Sequence, residues 1–116
     1  MTSHEVNHVV LLEPRGSLWE GSESEDMERT LLEMAVRGRR VIVDLSDTDL
    51  LTAHGLGILA HAHRIAAETG GRLALCGAKR TQRWLLDRTH LLDVLEVFED
   101  RHAALRAFNS GSQAVA

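Results

Sequence analysis

Three short apolar runs constrain this chain more than anything else in it: Val41–Leu45 (VIVDL), Leu73–Cys76 (LALC) and Val94–Phe98 (VLEVF). VIVDL and LALC do not alternate apolar with polar residues, so both faces of those strands must be covered, as in a parallel sheet flanked by helices. The intervening stretches carry helical spacing. Ser22 followed by Glu25 forms a capping-box pattern with acids crowding the first turn. Met27, Leu31, Met34 and Ala35 then recur on one face until Gly38 stops the helix. A second helix is predicted over 55–69, ended by Gly70-Gly71, and a third over 81–88 with Trp84 and Leu85 turned inward. Asp100 is placed to cap a last helix in which Ala104, Leu105 and Phe108 share a face. Before all of these, His8–Glu13 (HVVLLE) reads as a strand ended by Pro14, which cannot donate a ladder hydrogen bond. Strands and helices alternating at this spacing predict βαβ units. The expected architecture is a single α/β domain with a mostly parallel sheet of four or five strands and about four helices. Its ordered part is expected over 8–108, with flexible ends at 1–7 and 109–116.

Composition narrows the class of partner. With 116 residues, 44% apolar and 26% charged, the chain suits one globular domain. A net charge of −4, two Phe, two Trp and no Tyr argue against a nucleic-acid surface, which needs basic patches and stacking rings. No apolar run approaches the roughly 20 residues that span a bilayer, and MTSHEVN lacks the character of a signal peptide. A cytoplasmic protein without direct membrane insertion is expected. Twelve arginines against one lysine, with many alanines, suggest a GC-rich genome.

The residues that invite chemistry each have a plainer reading. Gly55, Gly57 and Ala60 match G-x-G-x-x-A, but nine residues separate them from the strand end at Leu45, and the next strand ends without an acid. His61 and His63 point to nearly opposite sides of a helix. His54 and His61 share a face, but about 10 Å of helical rise separates them, too far for one ion. Cys76 is the one cysteine, which excludes an internal disulfide, and inside a buried strand it reads as a small hydrophobe. Lys79, Arg80, Arg83 and Arg88 read as a solvated helix face. Asp44, Asp47 and Asp49 have no nucleophile or phosphate loop beside them, and Asp44 reads as a backbone-bonding carboxylate at a strand end. No catalytic residue, metal site or cofactor emerges, so the chain is not read as an enzyme.

One stretch is left. Residues 50–57 read LLTAHGLG, with a histidine at the mouth of the second helix. The strand ending in Asp44-Leu45-Ser46, the spacer, and the helix opened by Gly55-Leu56-Gly57 form a pattern. Gly70-Gly71-Arg72-Leu73 and Leu91-Leu92-Asp93 continue it. On these residues the chain from Val41 onward resembles the STAS domain family, the fold of bacterial anti-sigma factor antagonists. Gly16-Ser17-Leu18 looks like the family's Gly-x-Leu turn, with Trp19 where an acidic or polar residue often follows. The segment before it is short for the family's opening hairpin, so one early strand is expected to be missing or rudimentary.

The resemblance implies a protein-binding module that works through the loop before the second helix. In the family that loop carries Asp-Ser-Ser-Gly or Asp-Ser-Thr-Gly. A partner anti-sigma factor with a serine-kinase fold phosphorylates the hydroxyl before the glycine, and phosphate at a helix start resets the docking surface. Aligned without gaps, Thr52 stands for the Asp, Ala53 for the first Ser and His54 for the acceptor, followed by Gly55. His54 has no hydroxyl, so a Ser/Thr kinase cannot switch the domain there. A neutral imidazole can exchange a hydrogen bond at an interface but does not mimic phosphate. The implied partner-binding residues are Leu51, Thr52, His54, Leu56, Gly57 and Ile58. Three readings stay open: an antagonist not switched at the usual residue, a STAS subunit of a membrane transporter complex, and a phospho-carrier using His54 or Thr52. Homodimerisation through an edge strand is open as well.

Overall fold

The apolar runs assemble into one five-stranded sheet in the order β1-β2-β3-β4-β5. β2 (Val9–Glu13), β3 (Arg40–Asp44), β4 (Arg72–Cys76) and β5 (Glu96–Phe98) are parallel neighbours, and β1 (Thr2–Val6) pairs antiparallel with β2. The helices are α1 (Gly21–Val36), α2 (Ala53–Glu68), α3 (Arg80–Arg88) and α4 (Arg101–Val115), with a 3-10 turn at Leu91–Asp93 before β5. The computed structural model describes residues 2–15, 21–49 and 51–115. The Gly16-Ser17-Leu18 turn and Trp19 lie outside them, as does the Ser22 side chain of the expected capping box. The architecture is the mostly parallel α/β sheet with four helices that the alternation implies.

The doubly covered runs divide their side chains by parity. Val10, Leu12, Val41, Val43, Leu45, Leu73 and Leu75 face one way. They pack under Met27, Leu31 and Ala35 of α1, Leu56, Leu59, Ala62 and Ala66 of α2, and Leu86 of α3. Val9, Leu11, Ile42, Ala74 and Cys76 face the other way, against Ala104 and Phe108 of α4. Burying a Leu or Phe side chain contributes about 2 kcal/mol, so two covered faces explain why these strands tolerate no polar interior position. Between α1 and β3, Gly38 takes φ +69°, and a Cβ there would sit 2.6 Å from the Thr69 carbonyl oxygen. Glycine ends α1 there because no other residue fits.

The opening of the chain requires a correction. The first strand is neither missing nor rudimentary, and residues 2–6 are strand rather than a flexible end: Thr2 to Val6 pair in register with Glu13 to Val9. Asn7 and His8 turn the hairpin at φ 51° and 67°. Two successive positive φ values mark the type I′ turn, usually written Asn-Gly. Here His8 holds the glycine position, so the turn carries no obvious signal and His8 belongs to it rather than to the strand. Arg39 pairs with Glu5 and fastens β1 to the connection that leads from α1 into β3.

Three boundaries also differ. α4 continues to Val115, past Asn109 where fraying was expected. A helix nucleated by Asp100 (Ala103 N–H donates to its Oδ1 at 2.9 Å) and seated by Ala104 and Phe108 propagates at little further cost. The last strand is shortened to Glu96–Phe98 because Val94 follows the 3-10 turn and Leu95 N–H bonds back to the Leu91 carbonyl. In α3 the buried residues are Gln82 and Leu86 rather than Trp84, which is 60% exposed.

Candidate functional site

α2 begins two residues earlier than its sequence suggests, and this places the histidine. Thr52 is the N-cap, with extended backbone (φ −97°, ψ 165°), and its Oγ1 accepts from Gly55 N–H at 3.0 Å. Its carbonyl accepts the first intrahelical bond from Leu56 N–H at 2.9 Å. Ala53, His54 and Gly55 therefore form the first turn rather than a loop before it. The first turn of a helix presents N–H groups without intrahelical partners, and no acidic side chain stands there to offset the positive end of the dipole. His54 is exposed on this turn.

The family-implied residues separate by what they touch. Ala53, His54 and Gly57 face solvent, and Thr52 is half-buried. Leu51, Leu56 and Ile58 are buried in the core under α2, as is Gly55. Gly57 needs no special backbone, and a Cβ built on it meets nothing within 4 Å. The helix start is flanked by two concavities. One, of about 200 Å³, is lined by His54, Gly57, Ile58 and His61 with Glu28 and Leu32 of α1. The other, of about 320 Å³, lies toward α3 and includes Asp49, Leu51 and Trp84. A larger hollow of about 570 Å³ sits farther along α2, among Ala60, His63, Ala67, Leu91 and Val94, away from the helix start.

The loop leading to Thr52 is held from beneath. Thr48 is fully buried, and its hydroxyl donates to the Pro14 carbonyl at 3.0 Å. Its own carbonyl accepts from Gln82 Nε2 at 2.8 Å and from Lys79 Nζ at 2.9 Å. Gln82 Oε1 in turn accepts from Lys79 N–H at 2.8 Å. Lys79 reads in sequence as part of a solvated basic face, and here it anchors the loop. The signal that could have found Gln82 is its placement four residues before Leu86: a polar side chain on the apolar stripe of a short helix needs a buried partner.

Behind the loop, Asp44 is the strand-end carboxylate expected, and more. Its Oδ1 accepts from Ser46 N–H at 3.0 Å and Ser46 Oγ at 2.7 Å. Its Oδ2 accepts from Arg101 at 2.8 and 3.2 Å. Arg101 also reaches Glu13 at 2.9 Å, and Glu13 reaches His4 at the same distance. Burial by itself pushes the Asp44 carboxyl up. The two Ser46 hydrogen bonds and then Arg101 outweigh it and hold the group below the ordinary carboxylate range. Cys76, the register partner of Asp44 on the neighbouring strand β4, is pushed up to about 12, first by burial and then by the Asp44 charge. The thiol stays protonated and is a poor nucleophile. Gly77 closes over this cluster at φ +68°, where a Cβ would lie 2.6 Å from Asp44 Oδ1. Asp47 and Asp49 remain exposed. Among the described residues no group of three His, Cys, Asp or Glu side chains could hold a metal ion, and no helix is long and apolar enough to cross a membrane.

The family model of the STAS domain matches residues 1–104. Two relatives are named as anti-sigma factor antagonists. The anti-sigma F factor antagonist of Paenibacillus polymyxa is 22% identical over 85 residues, covering 71% of this chain and 73% of its own. BtrV of Bordetella bronchiseptica is 28% identical over 90 residues, covering 77% and 78% respectively. A crystal structure from Thermotoga maritima, also named for an anti-sigma factor antagonist, superposes with a TM-score of 0.81 at 17% identity. It covers 91% of this chain and 92% of its own, a likeness of fold.

Proposed function

The chain belongs to the STAS domain family, and from that premise we propose that it is a non-enzymatic, cytoplasmic anti-sigma factor antagonist. Its partner is an anti-sigma factor of serine-kinase fold, which it grips through the first turn of α2. The observation that carries this reading is the exposure of His54 on a capped, anchored helix start. Kinship with two proteins named as antagonists supports it. A rigid, exposed turn offers a partner preorganised contacts, which lowers the ordering cost of binding.

The reading also says how this domain departs from its relatives. With His54 at the switch position, no phosphate ester forms there, and release of the partner does not follow phosphorylation of that residue. Thr52 keeps a hydroxyl two residues earlier, but that oxygen caps α2 through Gly55 N–H. The experiment is affinity purification from the native cell, followed by binding measurements on the recovered anti-sigma factor. An anti-sigma factor is expected to co-purify, and His54→Glu is expected to weaken its binding at least about 10-fold by placing charge at the interface. Unchanged affinity would remove this turn from the interface, and transporter subunits in place of an anti-sigma factor would overturn the antagonist reading. A kinase-dependent mass gain of one phosphate lost in Thr52→Ala, or an acid-labile phosphate on His54, would replace an unswitched module with a phosphorylated one.

A further inference from the structure

α3 has two differently built sides. Its inner side, through Gln82, holds the loop that leads to Thr52. Its outer side carries Arg80, Trp84 and Arg88 four residues apart, which aligns them in one stripe along the helix. Trp84 is 60% exposed, and the Arg88 guanidinium lies 5.3 Å from the centre of its ring. Beside Trp84 opens the concavity of about 320 Å³, with Leu51 and Leu85 as its apolar lining. The charges on α3 and at its start are Lys79, Arg80, Arg83 and Arg88 against Asp87, and Asp49 lines the recess itself. That is a local net +2 in a chain of net −4, so the remaining residues together carry −6. An exposed tryptophan framed by arginines over an apolar recess has the composition of an interface hot spot. Solubility alone does not call for it.

We propose that this face of α3 is a second docking surface for the anti-sigma partner and takes an acidic segment bearing one large apolar side chain. The apolar group enters the recess beside Trp84. The carboxylates pair with Arg80, Arg83 and Arg88, whose planar donors suit them. Charge complementarity selects this occupant, because a basic or neutral segment would leave the cationic rim uncompensated. The proposal deepens the antagonist reading and rests on it. Gln82 and Lys79 both donate to the Thr48 carbonyl, so α3 is tied to the loop that leads into α2.

The test uses the full chain carrying Trp19→Phe, which leaves Trp84 as its only tryptophan. The probes are a synthetic peptide alternating Glu and Leu, its counterpart with Lys for Glu, and the anti-sigma factor recovered from the native cell. The acidic peptide is expected to shift Trp84 fluorescence saturably, with a response that shrinks as salt rises, while the basic peptide gives none. In the native background, Trp84→Ala is expected to weaken anti-sigma binding about 30-fold. Arg80→Glu with Arg88→Glu is expected to slow association about 10-fold. All three substitutions lie on the surface, and circular dichroism checks that the fold is kept. Full affinity in both variants, or an equal response to the basic peptide, overturns the proposal. So does a wild-type self-association that Trp84→Ala abolishes, since the face then joins two copies of this chain. If Trp84→Ala weakens binding and His54→Glu does not, this surface stands and the helix-start reading falls; the reverse pattern sinks this proposal alone. If no anti-sigma factor binds, the antagonist reading fails and the peptide pair decides the chemistry of the face.

Discussion

At the end of β3 the Asp44 carboxylate is enclosed, with Ser46 on one oxygen and Arg101 on the other, and only 6% of its side chain meets solvent. Ten residues later, on the first turn of α2, His54 stands in the open. Both positions read in sequence as candidate chemistry, an acid cluster and a histidine at a helix mouth. The difference lies in what a distant element delivers. Arg101 arrives from α4, 57 residues away, and consumes the charge of Asp44. Among the described residues no distant side chain bonds to the first turn of α2, whose capping is done locally by Thr52. A buried and fully partnered carboxylate holds the fold together, whereas an exposed turn on an anchored base is available to a partner.

The sharpest way to break the enclosed region is Gly77→Ala. A side chain at φ +68° with its Cβ 2.6 Å from Asp44 Oδ1 should cost about 3 kcal/mol from backbone strain and displacement of the carboxylate. Urea denaturation measures this loss, and a near-neutral result would mean that the cluster is loose. Arg101→Ala comes next. It leaves Asp44 buried without its cation and should cost about 2 kcal/mol, below the range for fully buried pairs because Arg101 is 39% exposed. The same cluster sets an acid dependence. The Asp44 carboxyl is held below its ordinary value in the folded chain, so its contribution is present above about pH 4 and lost as pH falls through the folded value. Unfolding midpoints measured across that range should show a weaker acid loss in Arg101→Ala but not its disappearance, because both Ser46 bonds remain.

The open region should respond more mildly. Thr52→Ala removes the side-chain cap on Gly55 N–H and should cost about 1 kcal/mol, read by thermal unfolding. A loss of several kcal/mol would make the helix start part of the core rather than a surface device. The smallest effect has the opposite sign. Gly57 lies inside α2 with open space around it, so Gly57→Ala should stabilise the fold by up to about 1 kcal/mol. If glycine is kept there for close approach of the anti-sigma factor, the same substitution should weaken that binding several-fold in a titration. Stabilisation with unchanged binding would take Gly57 out of the interface.

The continuous apolar runs determined by themselves that the sheet is parallel and covered on both sides, because a backbone period of two exposes half of every strand unless helices cover both faces. Local capping was legible too: Asp100 before α4 and the Gly38 stop after α1 act within a few residues of their position. The resemblance through Asp44-Leu45-Ser46 and Gly55-Leu56-Gly57 located the candidate turn, although the true helix start had to be found by the Thr52 hydroxyl. The first strand escaped notice because its turn uses His8 at positive φ, which few residues other than glycine announce. Tertiary structure alone decided which charges are spent and which are offered. Arg101 meets Asp44, Gln82 meets Thr48 and Trp84 faces out only once the sheet has stacked its helices, since each depends on residues more than 30 positions apart or on which side of α3 is covered. Sequence spacing specifies periodicity within an element, and the pairing of one element with another is set by packing.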